Sequence, residues 1–401
     1  MLHKRNYRIL VAISLLQGFV FYAPVATVYR QAYGLSLSGL FLIESISWVL
    51  TLLLEVPFGR FADRFGGRRT IVLGCIVFFA SKIVFSFAFG FGLFLAERVL
   101  LSVSIAALSG ASENFLYASA GPENPERRFG LWNAAGTAGV IAASLIAPLL
   151  YRSSLRYAAY ATAASYGLAA LLCLFLEEPR AQDSKGARDA RMPASRAELR
   201  LSIKALLSDR ALLLFLVALA ISNECVQAAT VFLSQPQYER VGIGRESYGL
   251  LFALIQCAAL AGAGAGRTVE RLGRGRALRL LVFVECLGAA ALALSDSAWL
   301  TVAALLAMSA AASVARPIST AVQVERIRVP DRATALSLNA MAGELVAAAF
   351  NAGEGEVAQR SLVLGFWAVA LALGLILVLS PRLFEAAKDR TAESAREASP
   401  R

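Results

Sequence analysis

The stretch Gly59-Arg60-Phe61-Ala62-Asp63-Arg64-Phe65-Gly66-Gly67-Arg68-Arg69 decides how this chain is read, because it occurs twice. Gly266-Arg267-Thr268-Val269-Glu270-Arg271-Leu272-Gly273-Arg274-Gly275-Arg276 repeats its order: glycine, three residues, an acid, arginine, any residue, glycine, then basic residues. Positions 59 and 266 lie 207 residues apart. A second echo has nearly the same spacing. Pro125-Glu126-Arg127 leads to Asn133 and Gly136, and Pro330-Asp331-Arg332 leads to Asn339 and Gly343, at offsets of 205 to 207. Two independent echoes at one spacing divide the chain into halves repeated in parallel, as expected about an axis along a membrane normal.

Outward from the first copy, apolar blocks of about twenty residues alternate with short polar stretches, the length a helix needs to cross ~30 Å of hydrocarbon. The chain is 58% hydrophobic and 17% charged over 401 residues, too little charge for the surface of a soluble domain of this length. Backbone amides in lipid must be bonded internally, so such blocks read as helices. They fall near 7–29, 38–58, 70–89, 92–118, 129–151, 156–176, 210–233, 247–266, 277–295, 298–318, 333–353 and 361–380. The apolar run to Tyr29 is longer than the core of a secretory signal and has no convincing cleavage site, so it reads as a retained first helix.

The formal net charge of +11 could suggest nucleic acid, but the basic residues collect in alternate loops. Lys4, Arg5, Arg60, Arg64, Arg68, Arg127 and Arg271 fall on one side, against Arg30, Arg152, Arg240 and Arg360 on the other. The positive-inside rule then puts both termini in the cytoplasm, in a multi-pass protein of the cell membrane that binds lipid and no nucleic acid. The expected parts are an N-terminal six-helix bundle over 1–177, a cytoplasmic linker over 178–209, a C-terminal bundle over 210–381 and a cytoplasmic tail over 382–401. In the linker, Leu199, Ile203, Leu206 and Leu207 have helical spacing, which suggests an amphipathic helix over Ser195–Leu207.

The five cysteines are scattered singly and the one histidine is His3, so no metal site, haem or other cofactor is expected. Enzyme chemistry is disfavoured for want of a nucleophile–histidine pair or a phosphate loop, and the missing Gly-Lys-Ser/Thr sequence argues against an ATP-driven pump.

The 59–69 segment closely resembles the signature loop of the major facilitator superfamily, and 266–276 its weaker second copy. The preceding Glu55-Val56-Pro57 also looks like that family's run into the loop. The resemblance implies an all-α integral membrane fold of about twelve helices in two pseudo-symmetric six-helix bundles, working as a monomer on a small-molecule substrate. It further implies that Gly59, Asp63, Arg64, Gly66 and Arg68 form a gating latch, with Glu270 and Arg271 a partial counterpart. In that family the first, fourth, seventh and tenth helices line a central cavity. Here they carry Gln17; Arg98, Glu113 and Asn114; Asn223, Glu224 and Gln227; and Arg316, the candidates for binding substrate or protons.

An ionised side chain at the centre of a membrane helix costs roughly 2.5–3.5 kcal/mol, so these residues should face an interior or a partner. Glu224 lies 207 residues from Gln17 and is the leading proton- or cation-binding carboxylate, unless Asn223 or Gln227 merely satisfies it. Arg98 is expected to neutralise Glu97 or Glu113, whereas Lys82 and Glu285 read as packing or interfacial residues. The combined expectation is proton-coupled efflux of an amphipathic or cationic compound. Uptake, an uncoupled facilitator and a non-transporting partner protein are the alternatives. A Gly-Pro pattern expected of drug/proton antiporters in the fifth helix is incomplete, since Pro148 comes well after Gly136-Thr137-Ala138-Gly139.

Overall fold

A computed structural model describes residues 2–120, 125–178, 204, 208–326 and 332–387. Apart from Lys204, the amphipathic helix expected over Ser195–Leu207 lies outside the described residues, as does the tail beyond 387. Ten helical segments are long and apolar enough to cross a membrane by length and composition: Arg5–Ala32, Leu37–Glu55, Gly67–Phe87, Gly90–Ser119, Arg127–Tyr151, Arg210–Phe232, Arg245–Leu272, Arg274–Leu294, Ala298–Arg326 and Leu362–Leu383. Helices Leu155–Cys173 and Arg332–Arg360 fill the sixth and eleventh places of the series. The segments are numbered below as spans 1 to 12 in chain order.

The signature repeat marks two identical backbone breaks. Gly66, between spans 2 and 3, has φ +91° and ψ 155°; Gly273, between spans 8 and 9, has φ +72° and ψ 155°. This region is closed to residues with a Cβ, so each glycine ends one helix and starts the next without a connecting loop. Polar caps define other starts: Ser36 accepts from the Gly39 amide at 3.0 Å, and Asp209 from the Leu212 amide at 3.0 Å.

Several spans are broken midway. Span 1 leaves helical geometry after Gly18 and resumes through Ala23–Val25, with Pro24 at its start. Span 4 breaks at Ser109–Gly110, where Gly110 has φ +64°. Span 7 widens into a π turn over Ala228–Phe232 and continues as Ser234–Arg240, since Pro236 has no amide proton to offer back into the preceding turn.

The chain forms two compact units: Met1–Pro193 with Ile243–Ala253, and Ala194–Gly242 with Leu254–Arg401. Within the first, span 1 packs on spans 5 and 6, span 3 on 4 and 6, and span 2 on 4. Within the second, span 7 packs on 11 and 12, span 9 on 10 and 12, and span 8 on 10. Adding six to each span of the first set gives the second, so the sequence repeat is also a repeat of packing. Residues 243–253, the start of span 8, join the first unit: the Tyr151 hydroxyl donates to the Arg245 carbonyl at 2.9 Å, and Gly249 lies against Pro148.

Spans 1 and 5 cross where glycine faces glycine. A Cβ on Gly18 would overlap the Gly136 carbonyl oxygen and sit 3.1 Å from the Gly139 Cα. Close approach of this kind is how helices gain contact in lipid, where burying apolar surface gives no advantage. The deepest packing of the first unit is aromatic. Tyr22 and Tyr29 stack on Phe85 with centroids 4.0 and 4.6 Å away, and Phe94 meets Phe85 edge-on at 5.9 Å. Arg30, expected on the outer side, is buried with its guanidinium 5.3 Å from the Phe85 ring centroid.

Candidate functional site

In the first unit, the buried acids are paired with cations. Glu97 on span 4 faces Lys82 on span 3 at 3.4 Å, and the Lys82 ammonium also reaches the Tyr22 hydroxyl at 2.9 Å. Three rings surround that ammonium, Phe78 at 5.2 Å and Tyr22 and Tyr166 at 5.6 Å. Such contacts with aromatic faces stabilise a desolvated cation. Arg98 forms an ion pair with Glu44 of span 2. The expectation that Arg98 neutralises Glu97 or Glu113 is therefore corrected. Neighbours on a helix point about 100° apart, so Glu97 faces span 3 while Arg98 faces span 2. Of the two readings of Lys82, a packing pair or an interfacial residue, the first is the one seen: it is buried on span 3 beside Glu97.

Gln17 is half-buried beside this cluster. Its amide approaches the Cys75 sulfur at 3.5 Å, and its backbone carbonyl accepts from the Tyr166 hydroxyl at 2.6 Å. Glu113 lies exposed in the first turn of Ala111–Ala120, where the helix N-terminus favours negative charge. Tyr117, one turn further along that face, is also exposed, and Asn114 is half-buried.

In the second unit, buried acids meet neutral partners. The Glu224 carboxylate, 6% exposed on span 7, accepts from the Asn351 amide of span 11 at 2.7 Å. The partner is therefore Asn351 rather than Asn223, which is exposed, or Gln227, which is half-buried. Glu285 on span 9, 1% exposed, accepts from the Ser222 hydroxyl at 2.6 Å. Glu354, three residues beyond Asn351, is 4% exposed, with its Oε1 against Gly365 of span 12 and no hydrogen-bond donor among the described residues. Arg316 is exposed on span 10 beside Pro317.

The expected latch residues occupy distinct places. Gly59 has open space around it, and Asp63 and Arg64 are exposed, Arg64 lying 5.4 Å from the Phe65 ring centroid. Arg68 instead reaches the segment that follows span 6, donating to the Leu176 carbonyl at 2.5 Å and the Leu174 carbonyl at 3.0 Å. The Glu178 carboxylate returns the contact, accepting from the Gly67 and Arg68 amides at 3.0 Å each. One arginine and one carboxylate thus cap a helix C-terminus and a helix N-terminus in the polarity their dipoles favour. In the second unit Glu270 and Arg271 are exposed, and Arg274 carries the charge contact, donating to Glu325 of span 10 at 2.7 Å.

Sequence reasoning did not single out Asn351, an uncharged residue inside the expected block 333–353, or Glu354, which falls one residue past that block. The helix runs on to Arg360, supported by close packing of Ala358 on Gly365.

The sequence profile of the Major Facilitator Superfamily matches residues 9–351. Among curated proteins, none matches the chain by sequence. Among solved structures, a mutant form of the nucleoside transporter NupG superposes with a TM-score of 0.80 at 14% identity, covering 95% of this chain and 100% of that one. A D-xylose-proton symporter gives 0.75 at 14%, covering 97% and 99%. A bacterial homologue of the human lysosomal transporter Spinster gives 0.74 at 16%, covering 96% and 99%. At these identities the likeness is one of fold.

Proposed function

The chain belongs to the Major Facilitator Superfamily, a multi-pass membrane transporter rather than an enzyme, and from that premise we propose proton-coupled transport of a small molecule, with Glu224 as the coupling carboxylate. The observation that carries the reading is the setting of Glu224: a buried carboxylate whose one hydrogen-bond partner among the described residues is the neutral amide of Asn351. A carboxylate taken out of water without a cation is costly to keep ionised, so its charge state follows proton supply. A group of this kind can alternate between a protonated and an ionised form as its access changes.

The substrate is an amphipathic or cationic compound and the direction is efflux from the cytoplasm across the cell membrane, with Gln17, Glu113 and Asn114 of the first unit and Asn223, Gln227 and Arg316 of the second as its binding residues. The exposed acid Glu113 and the exposed ring of Tyr117, one helical turn apart on span 4, support a cationic, partly aromatic-binding ligand. Asp63, Arg64 and Arg68, with Glu270 and Arg271, act in gating at the two repeated helix breaks.

Everted membrane vesicles, loaded with a proton gradient and challenged with cationic drugs, sugars, nucleosides and organic acids, test this directly. The expected result is dissipation of the gradient by cationic compounds, lost in Glu224→Gln. Substrate flux that persists at the wild-type rate in Glu224→Gln, with no accompanying proton movement, would make the protein an uncoupled facilitator.

A further inference from the structure

We propose that Glu285 and Glu354 are two further proton-binding sites, so that the second unit holds three buried carboxyls able to carry protons, Glu285 against Ser222 and Glu224 against Asn351. The inference deepens the role proposed for Glu224 and rests on the same bundle core. Its first ground is charge. In the first unit the buried acids Glu44 and Glu97 face Arg98 and Lys82. In the second unit Glu224, Glu285 and Glu354 are all buried, and no lysine or arginine is buried with them among the described residues.

The second ground is orphaned hydrogen-bonding capacity. The Asn351 side chain is wholly buried, donates its amide to Glu224, and leaves its carbonyl oxygen with no donor among the described residues. Glu354 Oε1, one turn further along the same helix, is likewise without a donor. Two buried acceptors one helical turn apart both lack a hydrogen, and a carboxyl proton on Glu354 supplies one. An unpaired acceptor in the interior of a membrane bundle is costly, and an added proton relieves it.

A metal ion is the competing ligand. The described residues contain no group of three or more carboxylate, thiol or imidazole side chains placed to hold one, so the acids sit at separate points. The surroundings are otherwise apolar or neutral. Span 7 presents Cys225, which lies within electrostatic reach of all three acids, and span 9 adds Cys286. Span 12 presents Gly365 and Val369, whose carbonyl lies 3.9 Å from the Cys225 thiol. Elsewhere on span 11, Glu344 is half-buried with a contact of its own, and Glu356 and Arg360 are exposed. On span 10, Arg316 is exposed and Arg326 lies 3.7 Å from Asp209 at the helix end.

Infrared difference spectroscopy on the purified full chain in lipid tests the proposal without any substrate. At pH 7 an exposed glutamate, with an ordinary pKa of about 4.3, is ionised and silent in the protonated-carboxyl C=O band. The expected spectrum contains that band, and Glu285→Gln and Glu354→Gln each remove one component of it. Should either glutamine variant fail to fold, Glu285→Asp and Glu354→Asp are expected to shift the same component. A wild-type band abolished entirely by Glu224→Gln, or no band at all, would overturn the proposal. A band that survives Glu224→Gln while proton-coupled flux proves absent would leave these two sites standing and remove only the coupling role of Glu224.

Discussion

Replacing Lys82 by methionine removes the ammonium that faces Glu97 and leaves that carboxylate buried in the first unit. At 3.4 Å, with an effective dielectric of about 20, the Coulomb energy of the pair is about 5 kcal/mol. Breaking one side of a buried pair typically costs about 3–5 kcal/mol, so Lys82→Met is expected to lose about 4 kcal/mol. Glu97→Gln should lose less, about 2 kcal/mol. The ammonium it strands keeps the Tyr22 hydroxyl at 2.9 Å and three aromatic faces within 5.6 Å, each contact worth about 0.5–2 kcal/mol. The double variant removes both charges and should fall within about 1 kcal/mol of wild type, because neutral side chains of similar volume often replace a buried pair without loss. Unfolding of the detergent-solubilised protein, by heat or by SDS titration, reads all three. If each single variant costs under about 1 kcal/mol, or if the double loses the sum of the singles, Lys82 and Glu97 do not act as a coupled pair and the charge-balance reasoning for the first unit fails.

Other expectations concern the helix breaks and crossings. Gly66→Ala and Gly273→Ala should each destabilise by about 1–3 kcal/mol, since φ +91° and +72° with ψ 155° are closed to a Cβ; melting temperatures unchanged from wild type would remove the claim that these glycines set the breaks. Gly18→Leu and Gly139→Leu should push spans 1 and 5 apart at about 1–3 kcal/mol each, while Gly59→Ala, with open space around it, serves as the neutral control. Arg68→Ala should release the Leu174 and Leu176 carbonyls and cost about 1.5–3 kcal/mol, read as faster hydrogen exchange over Arg68–Thr70 and 174–178; unaltered exchange there would mean that Arg68 does not anchor span 6.

Much of the fold could be read before any coordinates. The block length alone required helices, and the echo at 207 residues anticipated two related halves, which the structure repeats in packing, span 3 on 4 and 6 and span 9 on 10 and 12. The residue types carrying buried charge were also visible, because a charged side chain inside an apolar block is rare enough to stand out. Their partners were not. Arg98 could have met several acids, and the pairing with Glu44 depends on which face of span 4 turns toward span 2. The amides weighed as partners for Glu224 lay in its own helix, yet it is Asn351, 127 residues away, that reaches it.

What the sequence determined by itself was local or periodic: the spans, their number in each half, the repeated glycine breaks, and the family the chain resembles. Hydropathy and a Cβ-free φ are properties of a segment, so they can be read from it. What only the tertiary structure decided was compensation. The first unit carries its buried acids beside Lys82 and Arg98, and the second carries Glu224, Glu285 and Glu354 beside a hydroxyl, an amide and a glycine. Whether a buried charge is neutralised depends on atoms a few ångströms away in space and a hundred residues away in sequence, and helix rotation within the bundle sets that distance.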